Sequence, residues 1–299
     1  MGIAKGPAIL LMKEALRKPF KGSLLTLGKQ SVLVSPYQLK RYAKIARFPV
    51  KITPSEDPYA PMRDIDFFSH LGFSKIESLD YSMFEGATIQ FDLNSGETPE
   101  KYRETFDVIY DGGTIEHVFH LPNVLKSLIW MLKPGGRLIH LAPSSNHFEH
   151  SFYMFSPTFF YDFYKCNHFE INTIQIVRCT TCFDYQYEVY EYPHGGCLAH
   201  TDVGMGRLDT GMYLINTVVT KTAASTSSEI PNQSIYSQGM WQKSTPNTIK
   251  ISLLKRLLSE KRYRKWKQLF KASLIYPLWA YCKLKLRRHG VPAKISERF

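Results

Sequence analysis

Three histidines and a set of acids and glycines in this 299-residue chain fall at or just past the ends of short apolar segments. His117 follows the segment Phe106-Asp-Val-Ile-Tyr-Asp111, and His147 and His150 sit in the polar run Ser144-Ser-Asn-His-Phe-Glu-His150. Histidine is the side chain most readily able to take a proton near neutral pH, so these three are candidate general bases. For His117 the plainer alternative is a helix-start residue paired with Glu116. Asp80 and Asp92 each end a short apolar segment. An acid there accepts hydrogen bonds from ribose hydroxyls or from an adenine amino group; alternatively it only caps a turn. Gly28, and Gly112-Gly113 directly after Asp111, mark places where backbone can approach a ligand without a Cβ in the way.

The elements that would hold these residues alternate. Ser23-Leu-Leu-Thr-Leu-Gly28, Lys75–Asp80, Ala87–Asp92, Phe106–Asp111 and Arg137–Ala142 read as strands, and Ser23–Gly28 has the apolar content of a strand buried on both faces. Between them, Ser35-Pro36 starts a helix through Arg47, Pro61–Leu71 reads as a second, and Pro122–Leu132 as a third, stopped by Lys133-Pro-Gly-Gly136. A helix over Ser156–Phe169 and strands over Ile171–Val177, Tyr185–Tyr190 and Met212–Lys221 follow. Strand–helix alternation at this spacing predicts an α/β fold, an open, doubly wound, mostly parallel sheet. In such a sheet, ligands sit beyond the carboxyl ends of the strands where the order reverses, which is where Gly28, Asp80 and Asp111 fall.

The stretch Phe106-Asp-Val-Ile-Tyr-Asp-Gly-Gly-Thr-Ile-Glu-His-Val118, with Leu132-Lys-Pro-Gly-Gly-Arg-Leu-Ile-His140, resembles the central part of class I S-adenosylmethionine-dependent methyltransferases. Leu24–Gln30, Glu77-Ser-Leu-Asp80 and Phe155-Ser-Pro-Thr-Phe-Phe-Tyr-Asp162 are similar to methyltransferase-like proteins of bacterial surface-polysaccharide biosynthesis. The likeness covers residues 20–190. It implies a Rossmann-like fold and S-adenosyl-L-methionine as cofactor. Gly28 would lie at its methionine part, Asp80 at the ribose and Asp92 near the adenine. Asp111, Gly112, Gly113 and Thr114 would form the floor between cofactor and acceptor. It further implies O- or N-methylation of a sugar or lipid-linked glycan precursor. Two departures stand out. The glycine-rich turn is reduced to Gly28-Lys29-Gln30, and Gly28 and Asp80 lie 52 positions apart instead of the roughly 20 of a minimal unit, which predicts an inserted helical segment or lid.

Composition bounds the alternatives. A hydrophobic fraction of 44% excludes a mainly disordered chain. No apolar run approaches the roughly 20 residues needed to span a bilayer. The net charge of +12 is not spread: residues 250–299 carry 15 Lys and Arg against Glu260 and Glu297, leaving the rest of the chain near neutrality. The organisation expected is therefore a methyltransferase-like domain over 1–221, a Ser/Thr/Asn-rich linker over 222–248, and a basic amphipathic helical tail over 249–299. That tail suits an anionic membrane surface or a packed C-terminal helix, so the expected location is cytoplasmic with a peripheral hold on the inner membrane face. A neutral body argues against nucleic acid as the partner.

Cys166, Cys179, Cys182, Cys197 and Cys282 form no disulfide framework, and the Met1–Met12 stretch lacks a secretory cleavage pattern, so a reducing compartment is expected. The Cys179/Cys182 pair and the His194, Cys197, His200 group match no standard metal spacing; no metal is expected. The GxSxG, Walker and GxGxxG patterns are absent. Two other functions compete with methyl transfer to a glycan: a non-catalytic scaffold of the same fold, favoured by the altered turn, and a nucleic-acid methyltransferase.

Overall fold

The computed structural model describes residues 2–52, 57–179, 186–192, 211–234 and 295–299. Its centre is a nine-stranded sheet in the order β3-β2-β1-β4-β5-β8-β6-β7-β9. Here β1 is Ser23–Leu27, β2 Lys75–Asp80, β3 Ile89–Gln90, β4 Phe106–Asp111, β5 Leu132–Pro143, β6 Glu170–Cys179, β7 Tyr187–Glu191, β8 Met212–Thr220 and β9 Ile295–Arg298. The helices are α1 Lys5–Arg17, α2 Pro36–Ala46, α3 Asp64–His70, α4 Leu121–Met131 and α5 Pro157–Cys166. Strands β3, β2, β1, β4 and β5 pair in parallel, and β8, β6, β7 and β9 extend the sheet by antiparallel pairing. The chain winds outward from β1 to β3, then returns to β4 on the other side of β1. That reversal puts the switch point of a Rossmann-like sheet between β1 and β4.

Every residue of β1 is buried, as its uninterrupted apolar run requires of a central strand. On one face, Leu24, Val108, Tyr110, Ile139 and Val218 pack against Ile9 and Met12 of α1, Leu39 and Ala43 of α2, and Phe67 and Phe68 of α3. Burying a large apolar side chain of this kind contributes roughly 1.5–3 kcal/mol. Alternation sends the intervening residues Asp111 and His140 to the opposite face, against α5. The helices α2 and α3 fill the long interval between Gly28 and Asp80. They are built into the core rather than laid over the crevice as a lid. Ser35 caps α2 reciprocally with Gln38, and Pro36 sits in its first turn.

Several boundaries differ from those the pattern predicts. The expected strand Ala87–Asp92 shrinks to Ile89–Gln90, leaving Asp92 in the turn beyond it. Lys133-Pro-Gly-Gly136 does not merely stop α4: it is an irregular bulge inside β5, where Phe106 pairs with Leu132 and Val108 with Arg137. The Gly135 amide donates to the Lys221 carbonyl there. Helix α1 was not expected from the sequence. It is bound to β5 by the buried pair Glu14–Arg137 at 2.6 Å, and Arg137 also lies 4.4 Å from the Phe20 ring.

Residues 222–231 belong to the same compact unit as the sheet. The Thr222 and Ser225 hydroxyls donate to the His168 carbonyl, and the Asn167 side chain exchanges hydrogen bonds with the backbone of Glu229. The tail expected to be helical over 249–299 ends instead in strand β9, paired with β7; residues 249–294 lie outside the described residues. Cys166 is half-buried and Cys179 buried, while Cys182, Cys197, Cys282, His194 and His200 lie outside the described residues. No helix among the described residues is long and apolar enough to cross a membrane.

Candidate functional site

The crevice at the switch point is built from the residues that follow β1, β2 and β4. Gly28 adopts φ 69°, a conformation other residues rarely hold, and its amide donates to the Leu79 carbonyl at the end of β2. A Cβ placed on Gly28 would stand 3.3 Å from Thr114 Oγ1 and 3.8 Å from Asp80 Oδ2. The three strand ends therefore converge on this glycine. The Thr114 hydroxyl closes the set by donating to the Leu27 carbonyl at 2.8 Å. Asp80 is half-buried, and its Oδ1 accepts from the Ser82 amide at 3.4 Å.

The altered turn has a physical explanation. Lys29 points away, paired with buried Asp64 at the start of α3 at 2.7 Å. Gln30 folds inward: its carboxamide nitrogen donates to the Leu27 carbonyl at 2.7 Å, and its oxygen is buried with no hydrogen-bond partner among the described residues. A Cβ on Gly112 would meet that oxygen and the Tyr110 ring, each at 2.7 Å, so a side chain there would force its neighbours to shift. The Gln30 side chain thus takes the volume that the missing glycines would leave open. Gln30 was not among the candidates read from sequence. Its signal was the departure from the glycine pattern.

Asp92 is exposed, and its Oδ1 accepts from the amide and side chain of Asn94 at 2.8 and 3.0 Å, an Asx turn. Asp111 is wholly buried. One carboxylate oxygen accepts from the amides of Thr114 and Ile115, and the other lies 2.7 Å from His140 Nδ1. Its carboxylate holds the Gly112–Thr114 loop in place. His140 Nε2 is in turn 2.6 Å from the Tyr164 hydroxyl. With Nδ1 donating to Asp111, Nε2 accepts from Tyr164, so one tautomer satisfies both bonds.

Beyond Thr114 a single helical turn, Ile115–His117, presents Glu116 and His117. The loop after β5 folds back onto it, with the amides of Phe152 and Tyr153 donating to the Glu116 carbonyl at 3.1 and 3.2 Å. This brings His150 against His117, ring centres 4.9 Å apart, and His147 against His150 at 5.6 Å. All three candidate histidines therefore share one cluster. Burial lowers the basicity of each, and the neighbouring His150 adds to the effect at His117 and His147. Glu116 is fully buried, with neither carboxylate oxygen hydrogen-bonded among the described residues. Burial, reinforced by the nearby Asp111 charge, pushes its pKa up to about 8. Exposed aromatics border the cluster: Phe119 and Phe152 meet edge to face at 5.7 Å, and the Tyr153 hydroxyl donates to the Phe119 carbonyl.

No protein-family model matches the sequence, and no curated protein sequence matches it. Solved structures do resemble the fold. The Burkholderia thailandensis 1,6-didemethyltoxoflavin-N1-methyltransferase, solved with S-adenosylhomocysteine, is 13% identical with a TM-score of 0.37, covering 73% of this chain and 78% of its own. The YcgJ protein of Bacillus subtilis is 11% identical, TM-score 0.41, over 72% of this chain and 98% of its own. Phosphoethanolamine N-methyltransferase 2 of Haemonchus contortus, in complex with S-adenosyl-L-methionine, is 12% identical, TM-score 0.39, over 73% and 52%. The Rossmann-like assignment rests on the strand order and its switch point, and these likenesses accompany it.

Proposed function

We propose that the chain is an S-adenosylmethionine-dependent methyltransferase. One observation carries the reading: Gly28, Asp80 and Thr114 converge at the switch point beside an unpartnered buried acceptor, Gln30 Oε1. A buried acceptor left without a donor costs about 1–3 kcal/mol, and a ligand bearing an ammonium or amino group would relieve it. The residues present fit the cofactor on that ground. Asp80 would take the ribose hydroxyls, Gly28 and Gly112 would let the backbone approach, and Asp92, in the turn past β3, would lie toward the adenine. When bound, S-adenosylmethionine supplies a methyl group on a sulfonium. The chain need only orient the acceptor and remove its proton. His117, His147 and His150 are the residues for that, with Asp111 fixing the intervening loop.

The acceptor in this reading is a hydroxyl or amine on a sugar or lipid-linked glycan precursor. The segments Leu24–Gln30 and Phe155–Asp162 support it by their resemblance, and the exposed aromatics beside the histidines suit a sugar face. The basic stretch over 249–299 would hold the protein at an anionic membrane surface. A second reading, a non-catalytic scaffold, is favoured by the inward-folded Gln30 side chain.

Calorimetry separates the two. Micromolar binding of S-adenosylmethionine that is lost in Asp80→Ala supports the enzyme; no binding at millimolar cofactor overturns it. Liposome flotation at low salt, with and without residues 248–299, tests the membrane reading. Failure of the full-length chain to float with anionic vesicles removes it.

A further inference from the structure

Glu116 stands apart among the described residues, buried and with both carboxylate oxygens unpartnered. Facing its Oε1 are His150 Nε2 at 3.5 Å and His117 Nε2 at 3.9 Å, and His150 Nε2 is itself buried without a hydrogen-bond partner. These separations exceed the roughly 2.7–3.2 Å of a good hydrogen bond. They match something else. Around a tetrahedral ion bound at about 2.0–2.1 Å, ligand atoms stand roughly 3.3–3.5 Å from one another. One ligand atom from each of the three residues lies within 4.8 Å of the others, so small side-chain rotations would close the set.

We propose that Glu116, His117 and His150 form a binding site for a divalent transition-metal ion. Two imidazoles and a carboxylate suit zinc, iron or cobalt, whereas calcium and magnesium prefer oxygen ligands throughout. Three protein ligands leave a position for water or for an oxygen of an acceptor, the pattern of a working site rather than a closed structural one. The arrangement is held in advance: Phe152 and Tyr153 tie the histidine loop to the Glu116 carbonyl, and Asp111 anchors the turn from its other end. His147, whose Nε2 is also buried and unpartnered, stays outside the ligand set and remains free to take a proton. The sequence alone gave no metal spacing, because the ligands come from two loops 33 positions apart that only the fold brings together. The site stands on these contacts and does not depend on the methyl-transfer reading.

The test uses the full-length, tag-free chain, stripped with a chelator and dialysed against Co²⁺ and then Zn²⁺. One equivalent of Co²⁺ per chain is expected, with a visible absorption band of nitrogen and oxygen ligation that Zn²⁺ abolishes. Glu116→Gln and His150→Ala should each weaken the metal by about 100-fold, at least the loss seen when only an outer partner is removed. His117→Ala changes a half-exposed side chain and serves as the variant that keeps the fold. Absence of stoichiometric metal overturns the proposal, as does unchanged affinity in all three variants. Cofactor binding measured on the metal-free chain keeps the two readings apart. Metal without S-adenosylmethionine sinks only methyl transfer, and S-adenosylmethionine without metal sinks only the ion site.

Discussion

Asp111 and Glu116 lie five positions apart, and both are fully buried, yet they live in opposite circumstances. Around Asp111 every oxygen is engaged: two loop amides on one side, His140 backed by Tyr164 on the other. Around Glu116 nothing among the described residues meets the carboxylate at hydrogen-bonding distance. A satisfied buried acid is a strut, and an unsatisfied one is a cost that the fold carries for something else. The difference teaches where to look for chemistry in this molecule. It lies on the histidine side of the Gly112–Thr114 loop, and the aspartate side supplies rigidity.

Breaking the strut should give the largest effect. Asp111→Ala strands two amides and a ring nitrogen, each costing at least about 1 kcal/mol, and urea unfolding should register a total loss of about 3–5 kcal/mol. A loss under 1 kcal/mol would mean that the pairing is dispensable. A third buried acid sharpens the point. Glu14→Ala leaves the buried Arg137 guanidinium without its carboxylate beneath α1, so about 3 kcal/mol should vanish in the same measurement. Tyr164→Phe deletes only the outermost bond of the Asp111 chain, and a drop of about 1–3 kcal/mol is expected.

Glu116→Gln should move stability by less than about 1 kcal/mol in either direction, since no bonded partner is abandoned. A loss beyond about 3 kcal/mol would show that Glu116 is a strut after all and dissolve the contrast. The smallest effect concerns Asp107, a half-exposed acid. Burial opposes its ionisation but is outweighed by bonds from Ser23 and Lys133, so its pKa falls below the ordinary carboxylate value. The folded state then releases its proton more readily than the unfolded chain. Its stabilisation is complete above the ordinary range and is lost as pH falls through it toward the folded-state value. Because the pair with Lys133 is screened by solvent, the difference between wild type and Asp107→Asn should stay under about 1 kcal/mol, detectable as a flatter acid limb in thermal unfolding.

Much of this was legible in the chain. The boundaries of β2 and β4 follow directly from their apolar patterns, and α2 from Ser35-Pro36 and its stripe. Helix α1 was hidden because Ala4 offers no capping side chain, no acid stands in its first turn, and its burial comes from packing on the sheet. Strand β9 was hidden because a four-residue edge gains its stability from β7, far away in the sequence. The Lys133–Gly136 bulge carried a helix-stop signal that was true of α4 and silent about β5.

The same division applies to the site. Residue types and local spacing determined that an apolar strand would end at Gly28, that Asp111 would precede two glycines, and that three histidines would lie past strand ends, because these depend on neighbours a few bonds away. Only the tertiary structure decided that Asp111 faces α5 while Gln30 fills the turn, and that His150 meets Glu116. Burial and hydrogen-bond partnership are properties of through-space neighbours, and identical carboxylates acquire opposite roles once the loops around them are closed.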